Sequence, residues 1–431
     1  MKKLLAVLLT VMMAFALVGC SSGSAATDDS ADSDDAPVAY IIGEKGDTYS
    51  QGLCSNFKTA WIEQGGVVAE GDVVSFPKDT TNFSDYLQKA MDDGADVIFA
   101  PNSTTVAANI LKNADDLGVE CPILAGDTWE SSVILDAVKG TELSVYCSTF
   151  FDETDTSSTA AKDFVTGFKA WLNANPDKLA DNGGNDIVAA VSALGFDGYN
   201  VAVEAIKAAA AEKGADLTSV DVAKALATLT YDDAVTGSIA FDEKGDAIKD
   251  TAYIKKAGDG AFEFVTRQQV ANDATQGTAP AYDGVTGVAL DTATKTITIG
   301  IYEPVSGDNG AGGKQEVLGI EYANSLNNTV EIAGDTYTIV TYLSDNGSLE
   351  ANAVTAASAI INQGALVSLG SYGSGVSIAA ADTFAAAGVP AIGLSCTNAS
   401  VTDGHEFYYR ICFLDPFQGS VMAAFAESLL D

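Results

Sequence analysis

Histidine is almost absent from this chain: His405 is the single one in 431 residues. It follows Thr402-Asp403-Gly404 in an expected turn, and no Ser-His-Asp arrangement, zinc-ligand cluster or phosphate loop accompanies it. A hydrolase would lack its base, so an enzyme is not expected, and neither a metal nor a cofactor is implied. Gly307 to Gly313 is rich in glycine but fits neither a Walker nor a dinucleotide pattern, and reads better as a loop over the mouth of a cleft. Basic residues are scarce as well, 22 against 59 acidic ones, for a formal charge of −37. That balance excludes nucleic acid, which demands a basic footprint, and excludes lying flat on anionic lipid. The acidity reads instead as a solvated surface.

Cysteine is sparse and unpatterned. Of six, Cys20 has a separate role given below. Cys54, Cys121, Cys147, Cys396 and Cys412 are an odd number that cannot all pair within one chain. None has the close spacing of a zinc site or a redox dithiol, so buried free thiols are expected, with one disulfide as the alternative. The apolar run at the start, Leu4 to Val18, is about 15 residues, short of the roughly 20 a membrane-spanning helix needs. With Lys2 and Lys3 before it and Leu17-Val18-Gly19-Cys20 closing it, residues 1–20 read as an export signal ending in a lipobox. Cleavage there would let the Cys20 thiol carry lipid and hold the protein on the outer face of a membrane. Residues 21–37 carry Asp28, Asp29, Asp32, Asp34 and Asp35, and before Pro37 they hold no apolar side chain larger than alanine. They read as a flexible acidic tether.

What remains is long enough for two domains, and 47% hydrophobic residues supply their cores. From Val38, β-rich runs alternate with helical ones. Strands are expected at Val38 to Gly43, Val67 to Phe76, Ala95 to Ala100 and Pro122 to Ala125, with helices at Ser50 to Gln64, Phe83 to Asp92 and Thr105 to Leu117. A second set starts at Lys295, with strands at Ile297 to Ile301, Tyr337 to Leu343, Leu366 to Leu369 and Ala391 to Leu394. Its helices fall at Lys314 to Ser325, Leu349 to Gln363 and Ser377 to Ala387. Strands separated by helices of this length imply parallel sheets covered on both faces, so the fold class is α/β with two Rossmann-like units. Between them, residues 270–294 lose periodicity and read as a linker.

In open parallel sheets, ligands bind beyond the carboxyl ends of the strands. That rule singles out Gly370-Ser371-Tyr372-Gly373-Ser374-Gly375, where glycines and free N–H groups at a helix start suit a carboxylate; a plain strand-to-helix turn explains the same residues equally well. It also singles out Ser395-Cys396-Thr397-Asn398, and on the other unit Tyr49, Asn102-Ser103 and Asp127 beside Trp129. Asp127 paired with an ammonium, facing a hydroxyl-rich loop, would suit a zwitterion, although each residue alone also fits a helix cap or a surface position.

Several motifs together resemble the branched-chain amino acid type of periplasmic binding protein. They are Phe241-Asp242-Glu243-Lys244-Gly245-Asp246, Gly195-Phe196-Asp197-Gly198-Tyr199, and Tyr408 to Gln418 with Thr397-Asn398. The resemblance covers nearly everything from Val38 onward and implies a type I fold of two lobes joined by a hinge. The halves stand in swapped order, since the one beginning Val38-Ala39-Tyr40 normally comes second, and the chain stops within the helix Ser420 to Asp431. A circular permutation is expected, with a piece of a rearranged or tandem gene as the alternative.

The family's crossings imply one lobe from 38–153 plus 238–269 and the other from 155–237 plus 295–424, with two hinge connections in place of three. The resemblance implies carboxylate and ammonium contacts from Ser374, Ser395 and Thr397, opposed by Tyr49 and by Asp127 as ammonium partner. Tyr302, Tyr372, Asn102 and Trp129 would wall the side-chain pocket. It implies a monomeric solute-binding lipoprotein that delivers an amino acid, branched-chain or similar, to the permease of an ABC transporter. A sensory module for a membrane partner, and an amide or urea-like solute, are the alternatives.

Overall fold

The computed structural model describes residues 36–155, 158–270 and 272–430. The expected export signal, Cys20 and most of the tether lie outside them.

The first segment alternates strand and helix: β1 (Val38–Glu44), α1 (Thr48–Glu63), β2 (Val67–Val68), β3 (Val74–Phe76), α2 (Ser84–Asp92), β4 (Val97–Phe99), α3 (Thr104–Leu117), β5 (Ile123–Ala125), α4 (Ser132–Val138) and β6 (Val145–Thr149). A helical stretch follows, with α5 (Thr159–Ala174), α6 (Pro176–Asp181), α7 (Ala190–Lys213) and α8 (Ser219–Thr228). The short pair β7 (Thr230–Tyr231) and β8 (Ile239–Ala240) leads to the hairpin β9 (Thr251–Ala257) and β10 (Phe262–Gln269). The last segment holds β11 (Thr296–Glu303), α9 (Gly310–Leu326), β12 (Thr329–Ile332), β13 (Asp335–Asp345), α10 (Glu350–Asn362), β14 (Ala365–Leu369), α11 (Ser374–Ala387), β15 (Ala391–Gly393), β16 (Tyr408–Arg410) and α12 (Asp415–Leu430).

Besides the two-stranded β7-β8 pair, two large sheets result, one per lobe. The first runs β10-β9-β6-β5-β4-β1-β2, with β3 also on β1; β1 to β6 are parallel, and β9 and β10 close the edge antiparallel. The second runs β12-β13-β11-β14-β15-β16, parallel except for the edge strand β12. Strands buried on both faces, such as Ala365-Leu366-Val367-Ser368-Leu369, read as near-continuous apolar runs because helices cover each side. The expected strand from Val67 to Phe76 is broken: Glu70 takes φ 58, and the chain leaves β1 after Val68 to rejoin it further along at Val74.

The division into lobes differs from the expected one at α12. Instead of staying with the second lobe up to residue 424, this helix packs along α1 and against β5 and β6 of the first. Besides the linker from β10 to β11, the chain therefore passes between lobes ahead of α12, as well as after β6 and ahead of β9, which makes three hinge connections where two were expected. The segment between β10 and β11 forms no regular element, in keeping with its composition, but it is strapped down. Tyr282 is buried, with its hydroxyl 2.6 Å from that of Tyr409 and 3.0 Å from the carbonyl of Glu406, which it donates to.

The five cysteines among the described residues are free thiols, four of them buried and Cys121 half-buried. Among the described residues no helix is long and apolar enough to cross a membrane.

Candidate ligand cleft

The carboxyl ends of the parallel strands in both sheets meet at one cavity of about 290 Å³. Tyr49, Ser103 and Thr128 line it from the first lobe, and Tyr372, Ser374 and Gly375 from the second. The lobes touch across it: Asn398 Nδ2 donates to the Thr48 carbonyl at 3.1 Å, and Thr104 Oγ1 to the Asp308 carbonyl at 2.9 Å.

On the first lobe, the turn after β5 brings Asp127 into contact with α1 and α12. Tyr49, in the first turn of α1, donates its hydroxyl to Asp127 Oδ1 at 3.1 Å. Gln418, one turn into α12, donates to the same oxygen at 2.9 Å and to Ser148 Oγ at 2.9 Å. Asp127 Oδ2 is buried and has no donor. Burial pushes the Asp127 carboxyl up to about 6, while the bonds from Gln418 and Tyr49 pull the other way. Asp415, which opens α12, is pushed up to about 7, again by burial and with the Asp127 charge adding; Thr397 and Asn398 oppose the rise.

On the second lobe, α11 starts at Ser374, directly after the loop 370–373. Ser374 Oγ accepts the Asn398 N–H at 3.2 Å, so the two loops at the ends of β14 and β15 are tied together. Ser395 Oγ and Thr397 Oγ1 are buried and make no well-formed hydrogen bond, although Ser395 lies against Glu316 and Thr397 against Asp415. The backbone carrying them is fixed from behind by Arg410, fully buried, which donates to the Cys396 carbonyl at 2.8 Å and pairs with Asp246. Gly312 of α9 lets Tyr372 close over it, since a Cβ there would come within 2.4 Å of the ring.

Of the nine residues expected to bind ligand, Tyr49, Tyr372 and Ser374 line the cavity, and Asp127 sits directly behind Tyr49. Ser395 and Thr397 present unpartnered hydroxyls in the loop beside Ser374. The other three do not wall the cavity. Asn102 is spent on the fold: Oδ1 accepts from Ser50 Oγ at 2.8 Å and from Glu44 N at 3.2 Å. Trp129 is fully buried in the first lobe's apolar core and donates its indole N–H to the Asn102 carbonyl at 3.2 Å. Tyr302 packs edge-on against Phe384 and donates to the Val376 carbonyl at 3.1 Å. Reading the strand ends alone misses Gln418 and Asp415, although both fall in the stretch from Tyr408 to Gln418 whose motif carries the resemblance.

Behind Tyr49 and Ser374, which line the cavity together with Lys45 and Lys78, Asp127 Oδ2, Asp415 Oδ1 and Gln418 Oε1 are buried and lack a hydrogen-bond partner, and no Lys or Arg is among the groups that shift Asp127 most. Buried acceptors without partners cost free energy, which a ligand bringing an ammonium would recover. No group of His, Cys, Asp and Glu among the described residues could hold a metal ion. Two parallel-sheet lobes on either side of a polar cleft are the type I architecture of periplasmic binding proteins.

The chain belongs to the periplasmic binding protein family, whose profile matches residues 21–261 and 296–429. No curated protein matches it in sequence. Among solved structures, it is similar to a leucine binding protein, LivK, from Thermotoga maritima, with 26% identity over 55% of this chain and 62% of that one, at a TM-score of 0.44. It is also similar to the branched-chain amino acid transporter substrate binding protein LivJ from Streptococcus pneumoniae in complex with isoleucine (22% identity, 56% and 62% covered, TM-score 0.41). A third is an ABC transporter substrate-binding protein from Desulfitobacterium hafniense in complex with Leu (23%, 54% and 62%, TM-score 0.38). Each match thus spans 62% of the solved chain's length.

Proposed function

We propose that this protein is an extracytoplasmic, lipid-anchored receptor that binds an amino acid between its lobes and presents it to the permease of an ABC transporter. The observation that carries the reading is the buried, donor-less Oδ2 of Asp127 on one lobe, with the unpartnered Ser395 and Thr397 hydroxyls and the Ser374 helix start on the other. An α-ammonium supplies donors to the first, and an α-carboxylate accepts from the N–H groups that open α11. Binding the closed form better than the open one shifts the lobes toward closure, and the closed face is what a permease reads.

The lipid on Cys20, the monomeric state and the circularly permuted order belong to the same reading. The lipobox in the sequence supports the first, and the order of the motifs, with a family match in two blocks on either side of the linker, is what suggests the last. Calorimetric titration of the purified chain with the common L-amino acids, and with urea and simple amides, tests the ligand. Heat from one amino acid or a small set at one site per chain is expected; heat only from an amide or urea would replace the amino acid in this account.

A further inference from the structure

The loop 370–373, which leads into α11, is held from below by a carboxyl group that zwitterion binding does not call for. Glu303, the last residue of β11, is fully buried and accepts the Tyr372 N–H through Oε2 at 2.7 Å. Its other oxygen lies under Gly370, where a Cβ would come within 2.3 Å of Oε1. Gly370 stands at φ 109, so a side chain is disfavoured there on both counts. Glu316 of α9, also fully buried, meets Glu303 side chain to side chain, and the Ser395 hydroxyl faces Glu316.

Taken as two carboxylates, this pair is unsatisfied: Glu303 Oε1 and both oxygens of Glu316 receive no well-formed hydrogen bond, not even from the nearby Ser395 hydroxyl. The charged and titratable groups bearing on the pair are Asp127 from the first lobe, Cys396 beside Ser395, Tyr302 next to Glu303 on β11, Tyr372 of the loop and Tyr408 of β16. No Lys, Arg or His is among them. Two buried carboxylates in contact without a counter-ion take up a proton. Burial pushes both upward; Glu316 raises Glu303 further, while the bonds with Glu303 and Ser395 moderate the rise of Glu316, which reaches about 8.

We propose that Glu303 and Glu316 share a proton at neutral pH, and that this proton ties together loops 370–373 and 395–397, the second-lobe walls of the cleft. Both are then positioning residues, and their ionisation in alkali loosens the walls. The link to ligand affinity rests on the function proposed above; the link to loop order does not.

Amide hydrogen exchange of the segment 370–376 in the ligand-free full chain tests the second link, comparing wild type with Glu303→Gln and Glu316→Gln. A Gln amide supplies a permanent donor in place of the shared proton. Wild type and Gln variants should exchange alike at pH 6 to 7, and at pH 9.5 wild type should exchange about 5-fold faster than either variant at the same pH. Equal exchange at every pH would overturn the proposal. Glu303→Ala should exchange fast throughout; should it fail to fold, the comparison with Gln still decides. For an amino acid found to bind, wild-type affinity should fall from pH 7 to 9.5 by about 10-fold more than that of Glu316→Gln, each titrated with the same ligand. Silence with every amino acid would count against the proposed function, while the exchange experiment would still settle the pair.

Discussion

Tyr49 donates its hydroxyl to Asp127 Oδ1 at 3.1 Å, and Gln418 donates to the same oxygen, so that Oδ2 alone is without a donor. In the proposed binding mode both partners bond the oxygen that the ligand does not need. Asp127→Asn keeps the shape but removes the charge, and should weaken amino acid binding by about 10- to 100-fold, roughly 1.4–2.8 kcal/mol. Tyr49→Phe removes only the orienting bond and should cost less, about 1 kcal/mol. Calorimetry on the two variants checks the order; equal losses would mean that Tyr49 touches the ligand itself.

The raised carboxyls give a pH dependence of definite sign. Asp127 and Asp415 sit near 6 and 7 in the fold against an ordinary 3.8, so between about pH 4 and 7 the native state holds more protons than the unfolded one. Their contribution to stability is fully present below pH 4 and is lost as pH rises through 6 to 7. Urea unfolding without ligand should show the double variant Asp127→Asn, Asp415→Asn gaining on wild type by about 2–4 kcal/mol from pH 4 to 7. An ammonium ligand favours the ionised Asp127, so its affinity should instead rise through pH 6.

Arg410 holds the Ser395 to Asn398 backbone and pairs with Asp246, both nearly or fully buried. Arg410→Met leaves Asp246 uncompensated and should destabilise by about 3–5 kcal/mol in denaturant titration. Adding Asp246→Asn should recover part of that loss.

Thiol chemistry offers a check on the packing. Burial pushes Cys121 up to about 11 and raises Cys54, Cys147, Cys396 and Cys412 as well. Alkylation followed by peptide mass spectrometry should modify Cys121 first and leave those four protected until the chain unfolds. Early labelling of Cys396 would place the Ser395 to Asn398 loop in solvent.

Much of this architecture is written in periodicity. The runs around β1, β4, β5, β11 and β14 are apolar enough to be buried on both faces, and the helices between them carry one apolar stripe each. Strand ends then point to the cleft, which is why Tyr49, Asp127, Ser374, Ser395 and Thr397 can be picked out. The rule gives positions but not directions: Asn102 and Trp129 stand at the right strand ends yet turn inward, Trp129 donating to the Asn102 carbonyl and the Asn102 side chain bonding Ser50 and Glu44. Gln418 and Asp415 look like ordinary residues of a helix start, and only the docking of α12 on α1 brings them to Asp127. Glu303 and Glu316 are 13 residues apart on a strand and a helix, with no local pattern to say that they meet in the core. The linker's polar composition likewise hides Tyr282, whose ring is buried against Phe407.

A crystal structure of the chain with the amino acid that binds it tests the central claim most directly. The account predicts the ligand between the lobes, its ammonium within hydrogen-bond distance of Asp127 Oδ2 and its carboxylate at the start of α11 by Ser374. A ligand seated on another surface, or in the cleft with its carboxylate toward Asp127, would contradict it.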